Sequence, residues 1–161
     1  MRLTRRAMMA GAAALCGCSR RAADAEEPVV TQGPLISRQI PVSGEALPIV
    51  GLGTWQAFDL GPGDADWAEA REALKAFSEG GGKVVDSSPM YGRAEAAIGA
   101  LAAELSLRPR LFLATKVWTR GRQAGIAQME ASRRKLGADV IDLMQVHNLV
   151  DLETHMPTLR A

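Results

Sequence analysis

The chain has 161 residues with 19 Lys and Arg against 18 Asp and Glu, a formal net charge of +1, and two cysteines. Both cysteines, Cys16 and Cys18, lie near the N-terminus, so a chain cut after Ala25 keeps none and has neither a disulfide framework nor a thiolate metal site. That cut also removes five arginines and Asp24, leaving 14 basic against 17 acidic residues, net −3, which argues against nucleic acid as a partner because phosphate binding needs a concentrated basic face.

The first segment, residues 1–25, reads as an export signal: Arg2, Thr4, Arg5 and Arg6 precede a short Ala- and Met-rich run from Ala7 to Leu15. The run is too short to span a membrane permanently. Arg5-Arg6 ahead of Ala7-Met8-Met9 resembles a twin-arginine signal, although an ordinary basic leader has the same look. Two cleavage sites compete. Leu15-Cys16-Gly17-Cys18 resembles a lipoprotein box that would leave Cys18 lipidated, and Ala23-Asp24-Ala25 fits release of a soluble protein. The expected location is therefore periplasmic, with membrane attachment only if Cys18 is lipidated.

Residues 26–35 are polar and contain proline, as expected of a tether. Residues 36–161 form the folded region, opening with a short hairpin from Ile36 to Pro48 turned at Ser43-Gly44. A repeat follows. The predicted strands are Ile49–Gly53, Lys83–Asp86, Leu111–Thr115 and Val140–Val146. The predicted helices run from about Asp66 to Glu79, Ala94 to Leu105, Ala124 to Leu136, and from Leu152 onward. Trp67, Ala70, Leu74 and Phe77 share one face of the first helix, Ile98, Leu101 and Leu105 one face of the second, and Ile126, Met129 and Leu136 one face of the third. Asp66 with Glu69 predicts a capped helix start, and Gly80 its stop. Arg133-Arg134-Lys135 is the one basic run past the leader, and it complements a helix C-terminus. Gly51-Leu52-Gly53 is followed by Gln56 where a dinucleotide fingerprint needs a third glycine. Gly80-Gly81-Gly82 reads as a helix stop and turn at the end of the sheet away from the functional residues.

Alternating strands and helices imply a parallel α/β fold. A complete (β/α)8 barrel takes roughly 250 residues, so the expected architecture is the N-terminal (β/α)4 half of such a barrel. A self-contained four-stranded open sheet is the alternative. A half-barrel would leave strand edges unpaired and offer them for self-association.

Three polar residues end successive strands: Asp86, Lys116 and His147. Parallel strands all end on one face, so these residues converge there, with Tyr91 just beyond Asp86. Singly, a strand-end Asp is a loop cap and a lone His a core residue; jointly, an acid, a phenol, an amine and an imidazole suit proton transfer. A free phenol donates its proton reluctantly at neutral pH. An ammonium at roughly 4 Å favours the phenolate by about 4 kcal/mol at an effective dielectric near 20.

The segments Leu47-Pro48-Ile49-Val50-Gly51-Leu52-Gly53-Thr54-Trp55, Val84-Val85-Asp86-Ser87-Ser88-Pro89-Met90-Tyr91-Gly92, Ala114-Thr115-Lys116-Val117-Trp118 and Asp142-Leu143-Met144-Gln145-Val146-His147 resemble, in order, the strand ends of the aldo/keto reductases. The resemblance runs from about Ile36 to the last residue. It implies a (β/α)8 TIM barrel that reduces aldehydes and ketones with NADPH, and a catalytic tetrad of Asp86, Tyr91, Lys116 and His147. It further implies cofactor contacts at Gly53, Thr54, Trp55, Asp86 and Asn148, and an apolar substrate pocket walled by Trp55, Met90 and Trp118. The implied cofactor is NADP(H) and the implied partner a small carbonyl compound. Family members place most contacts to the cofactor phosphate and adenine on loops after the seventh and eighth strands, so this stretch alone is expected to bind NADPH weakly or not at all. A noncatalytic binding or regulatory half-barrel is the rival expectation.

Overall fold

The computed structural model describes Gly33 and residues 35–160; the expected export signal, the Cys18 box and most of the tether lie outside the described residues. The chain opens with an antiparallel hairpin, β1 (Ser37–Gln39) and β2 (Ala46–Pro48), whose register sets Arg38 opposite Leu47. The turn runs through Ile40, whose carbonyl accepts from Gly44 N–H at 2.8 Å, and Gly44 takes a φ of 74°, where a side chain would be strained.

Four parallel strands follow, β3 (Leu52–Gly53), β4 (Val84–Asp86), β5 (Phe112–Val117) and β6 (Leu143–Val146), hydrogen-bonded in the order β3-β4-β5-β6. Between them run α1 (Trp67–Glu79), α2 (Ala94–Glu104) and α3 (Arg122–Lys135), with α4 (Leu152–Leu159) after β6. Sequential parallel strands joined by helices are the repeating unit of a parallel barrel wall. Among the described residues β3 and β6 form the two edges of this sheet, and no helix is long and apolar enough to cross a membrane.

The core lies between the sheet and the helices. Val85 and Leu113 from the strands meet Leu74 of α1, Ile98 and Leu101 of α2, and Leu136 just past α3. Alternation along β5 sends Leu113, Thr115 and Val117 into this layer. It leaves Lys116 on the opposite face. On α1 the expected face holds: Ala70 and Leu74 are buried, with Trp67 and Phe77 packed against them. On α3 it shifts. Ile126 and Met129 are half-buried, and the residues packed tightest are Gly125 and Ser132. The expected cap at Asp66 is also absent, since its side chain makes no hydrogen bond to the helix.

Helices α2 and α3 approach unusually closely at Gly99, where a Cβ would collide with the Lys135 carbonyl oxygen. The missing side chain at Gly99 is what makes this approach sterically open. The glycine run between α1 and β4 serves packing as well, because a Cβ on Gly82 would collide with the Phe77 ring. An apolar cavity of about 440 Å3, lined by Leu35, Pro48, Ile49, Val50 and Phe77, sits at that N-terminal end of the sheet.

Candidate active site

At the C-terminal ends of the strands the parallel register sets Gly53 beside Asp86, Asp86 beside Ala114 and Lys116 beside Gln145. His147 follows directly on β6. All four polar residues singled out from sequence lie at this mouth. Lys116 Nζ donates to Asp86 Oδ2 at 2.6 Å and to the Ser87 carbonyl at 2.7 Å, and its side chain is only 11% exposed. An ammonium so largely buried needs such partners to remain charged. The same Nζ lies 5.0 Å from the centroid of the Tyr91 ring. His147 meets Tyr91 edge-on, with ring centroids 5.7 Å apart and planes at 88°.

Two further side chains fix this group. Gln145 Nε2 donates to Asp86 Oδ1 at 3.0 Å, so both carboxylate oxygens are engaged. Ser88 Oγ lies 2.7 Å from His147 Nδ1 and accepts from Met90 N–H at 3.2 Å. Burial, and then the nearby Lys116 charge, hold His147 below the ordinary histidine range, against the opposite pull of Asp86. Both effects favour the uncharged ring.

The loop that carries Tyr91 is anchored from outside. Gly92 adopts φ 60°, and a Cβ on it would collide with the Asp59 carboxylate. Asp59 Oδ1 accepts from Arg93 N–H at 2.9 Å, a bond that lowers the carboxyl's pKa from its ordinary value. On the opposite side of the sheet, Glu95 of α2 is buried and accepts from Thr115 Oγ1 at 2.7 Å, next in sequence to Lys116. Lys135 Nζ, at 3.6 Å, compensates the Glu95 charge.

Of the expected contact residues, Trp55 is 62% exposed and lies 6.5 Å from Tyr91 between ring centroids. Trp118 lies 6.3 Å from His147 between ring centroids, and Met90 is 41% exposed. Gly53 is open, with no atom within 4 Å of where a Cβ would stand, and Asn148 is exposed at φ 52°. Thr54 differs. It is wholly buried, and its Oγ1 lies 3.0 Å from both the Asp86 carbonyl and Ser87 Oγ, so it braces the strand ends and leaves no side-chain surface for a ligand.

The loop after β5 is held by several bonds. Gln128 of α3 brackets Trp118, its Oε1 accepting from Trp118 N–H at 2.5 Å and its Nε2 donating to the Trp118 carbonyl at 3.2 Å. From α4, His155 Nε2 lies 2.8 Å from the Thr119 carbonyl, and Asp151, the residue preceding that helix, accepts from Gly121 N–H through Oδ2 at 2.7 Å. That backbone bond lowers the pKa of Asp151. Sequence reading does not single out Ser88, Gln145, Glu95, Gln128, Asp151 or His155. For Ser88 and Gln145 a signal exists, since each stands two residues from Asp86 or His147.

The segment 49–158 matches the model of the aldo/keto reductase family. The chain belongs to that family. Methylglyoxal reductase YeaE of Escherichia coli K12 is 37% identical over 115 residues, covering 68% of this chain and 39% of that protein. An aldo-keto reductase of Mycobacterium sp. strain KMS is 35% identical over 106 residues, covering 65% of this chain and 36% of its own length. The chain thus spans well under half the length of these curated relatives. Among solved structures, the Bombyx mori aldo-keto reductase in complex with NADP superposes with a TM-score of 0.56 at 30% identity, over 71% of this chain and 38% of that one. The Klebsiella pneumoniae aldo-keto reductase in complex with NADPH gives 0.62 at 26% identity, over 78% and 46%. The four-stranded parallel sheet accordingly corresponds to part of the barrel of these aldo-keto reductases, and the family is one of oxidoreductases.

Proposed function

We propose that the site carries out NADP(H)-dependent reduction of an aldehyde or ketone to an alcohol, with Tyr91 as proton donor. The observation that carries this reading is the Asp86–Lys116 pair at 2.6 Å, with the Lys116 ammonium 5.0 Å from the Tyr91 ring centroid and His147 edge-on to the same ring. The residues fit the reacting end of a nicotinamide cofactor: Gly53 leaves open space beside Asp86, and Trp55 offers an exposed apolar face. Gly53, Trp55, Asp86 and Asn148 would hold that group, which when bound supplies the hydride.

The chain's own residues handle the proton. As charge develops on the carbonyl oxygen, the Tyr91 hydroxyl gives up its proton to that oxygen. Lys116 stabilises the phenolate left behind. Asp86, its second oxygen tied to Gln145, keeps the ammonium in place. Neutral His147 polarises the carbonyl as a hydrogen-bond donor. Trp55, Met90 and Trp118 provide apolar contact for the carbon skeleton.

The test is carbonyl reduction by the full chain, followed as NADPH consumption, with Tyr91→Phe beside it. Loss of roughly 10²–10⁴-fold, the usual contribution of a positioned acid, is expected. Unchanged turnover in Tyr91→Phe would remove the assignment. A second reading, a noncatalytic binding module, draws support from the two unpaired sheet edges among the described residues. It predicts no turnover by the full chain and partner binding that Tyr91→Phe leaves intact.

A further inference from the structure

Ser88 is 0% exposed, and its hydroxyl has two neighbours within hydrogen-bond reach, Met90 N–H at 3.2 Å and His147 Nδ1 at 2.7 Å. A serine hydroxyl carries one proton and can accept from others. Met90 N–H can only donate. The Ser88 proton therefore has one acceptor available, the Nδ1 lone pair. Were Nδ1 protonated, it would donate to Oγ as Met90 N–H does, and the buried hydroxyl proton would be left without an acceptor, an arrangement native interiors avoid.

We infer that Ser88 fixes His147 as the tautomer with Nδ1 bare and the proton on Nε2, making Nε2 a permanent donor toward the mouth. No described protein group takes a hydrogen bond from Nε2. The ring's freedom to turn is limited on two sides, by Tyr91 at 5.7 Å and Trp118 at 6.3 Å between centroids. The charged and titratable groups facing it are Lys116 from β5, Asp86 from β4 and Tyr91 from the loop after β4. Asp86 has both oxygens occupied, by Lys116 and Gln145, so it does not compete for the imidazole proton.

The value of this tautomer for turnover rests on the carbonyl-reduction reading, since a donor at Nε2 is what a carbonyl oxygen requires. The tautomer itself does not. Ser88 is thus a positioning residue acting through His147, and its role is visible without any reaction.

The experiment uses the full chain labelled with 15N-histidine and long-range proton–nitrogen correlation at neutral pH. The chain has two histidines, so the His147 signals are identified by their loss in His147→Asn. Expected are an Nδ1 resonance of the unprotonated type and an Nε2 resonance of the protonated type. In Ser88→Ala the two should converge as tautomers mix, and the His147 titration midpoint should rise. Ser88→Thr, which restores a hydroxyl, should return both to the parent values. A protonated Nδ1 in the parent chain, or unchanged nitrogen shifts in Ser88→Ala, would overturn the inference. If Nδ1 is bare yet no carbonyl is reduced, the tautomer assignment stands and the reductase reading falls. If reduction occurs with Nδ1 protonated, the reverse holds.

Discussion

Each member of the proposed tetrad works through a partner that one-dimensional reading only partly reveals. Asp86, Lys116 and His147 are legible because each ends an apolar strand with a polar group, a local clash that marks a site. Gln145 and Ser88 carry only a weak signal, their place two residues from His147 and Asp86, since a single amide in a strand or a serine in a loop is ordinary until coordinates set it against those partners. Removing the Gln145 amide while keeping its bulk, as in Gln145→Leu, leaves Asp86 Oδ1 without its donor, and a loss of about 1 kcal/mol in stability is expected by denaturant titration. His147 gives a pH prediction with a definite sign. Its folded pKa lies below the ordinary 6.5, so the unfolded chain binds the extra proton first and stability rises with pH through the window beneath 6.5. As pH falls from 6.5 toward the lower folded value, stability should decline and then level off. His147→Gln should flatten that part of the profile measured by urea unfolding. A parent profile that is already flat there, or unaltered by the substitution, would contradict the assignment.

At the scale of elements, type and order follow from periodicity, and boundaries do not. The first strand, expected over Ile49–Gly53, pairs only at Leu52–Gly53, because pairing requires a neighbour and the short β4 supplies three residues. β5 runs two residues further than expected, to Val117, because β6 pairs with it through Val146. The face of α3 departs from expectation for a similar reason. Apolar spacing favours Ile126 and Met129, whereas contact with α2 and α4 rewards small residues, which carry no hydrophobic signal. Two substitutions test this. Gly99→Ala drives a methyl into the Lys135 carbonyl, a backbone atom that cannot swing away. Gly125→Ala brings one within 2.5 Å of His155 Cε1, a side chain with some room to yield. Both should destabilise by about 1–3 kcal/mol in chemical denaturation, with Gly99→Ala the worse of the two. Gly125→Ala should also loosen the His155 bond to Thr119 and so disturb Trp118, seen as a shift in tryptophan fluorescence; equal stability across all three chains would refute the close-packing account.

Across the whole described molecule, one face of the sheet is sealed by helices and the other carries the functional residues with little over them. The alternation that sends Lys116 and Gln145 to that open face sends Leu143 there too, at 45% exposure, on a strand that is an edge. Near the opposite edge Ile49 and Val50 stand 56% and 70% exposed. Unpaired N–H and C=O groups flanked by apolar side chains recruit further strands. The matched segment is 39% of the Escherichia coli relative and 38% of the Bombyx mori structure, so further segments exist in those chains, and burying this face is what closing a barrel accomplishes. The 161-residue chain by itself is therefore expected to associate in a concentration-dependent way, measurable by sedimentation velocity. A lysine on an edge strand opposes such pairing. Leu143→Lys should shift the distribution toward monomer at unchanged far-ultraviolet circular dichroism, whereas the same change at exposed Val42, in the turn of the hairpin, should not. A parent chain that sediments as one monomeric species at every concentration, or a Val42→Lys effect equal to that of Leu143→Lys, would show that the strand edge is not the adhesive surface.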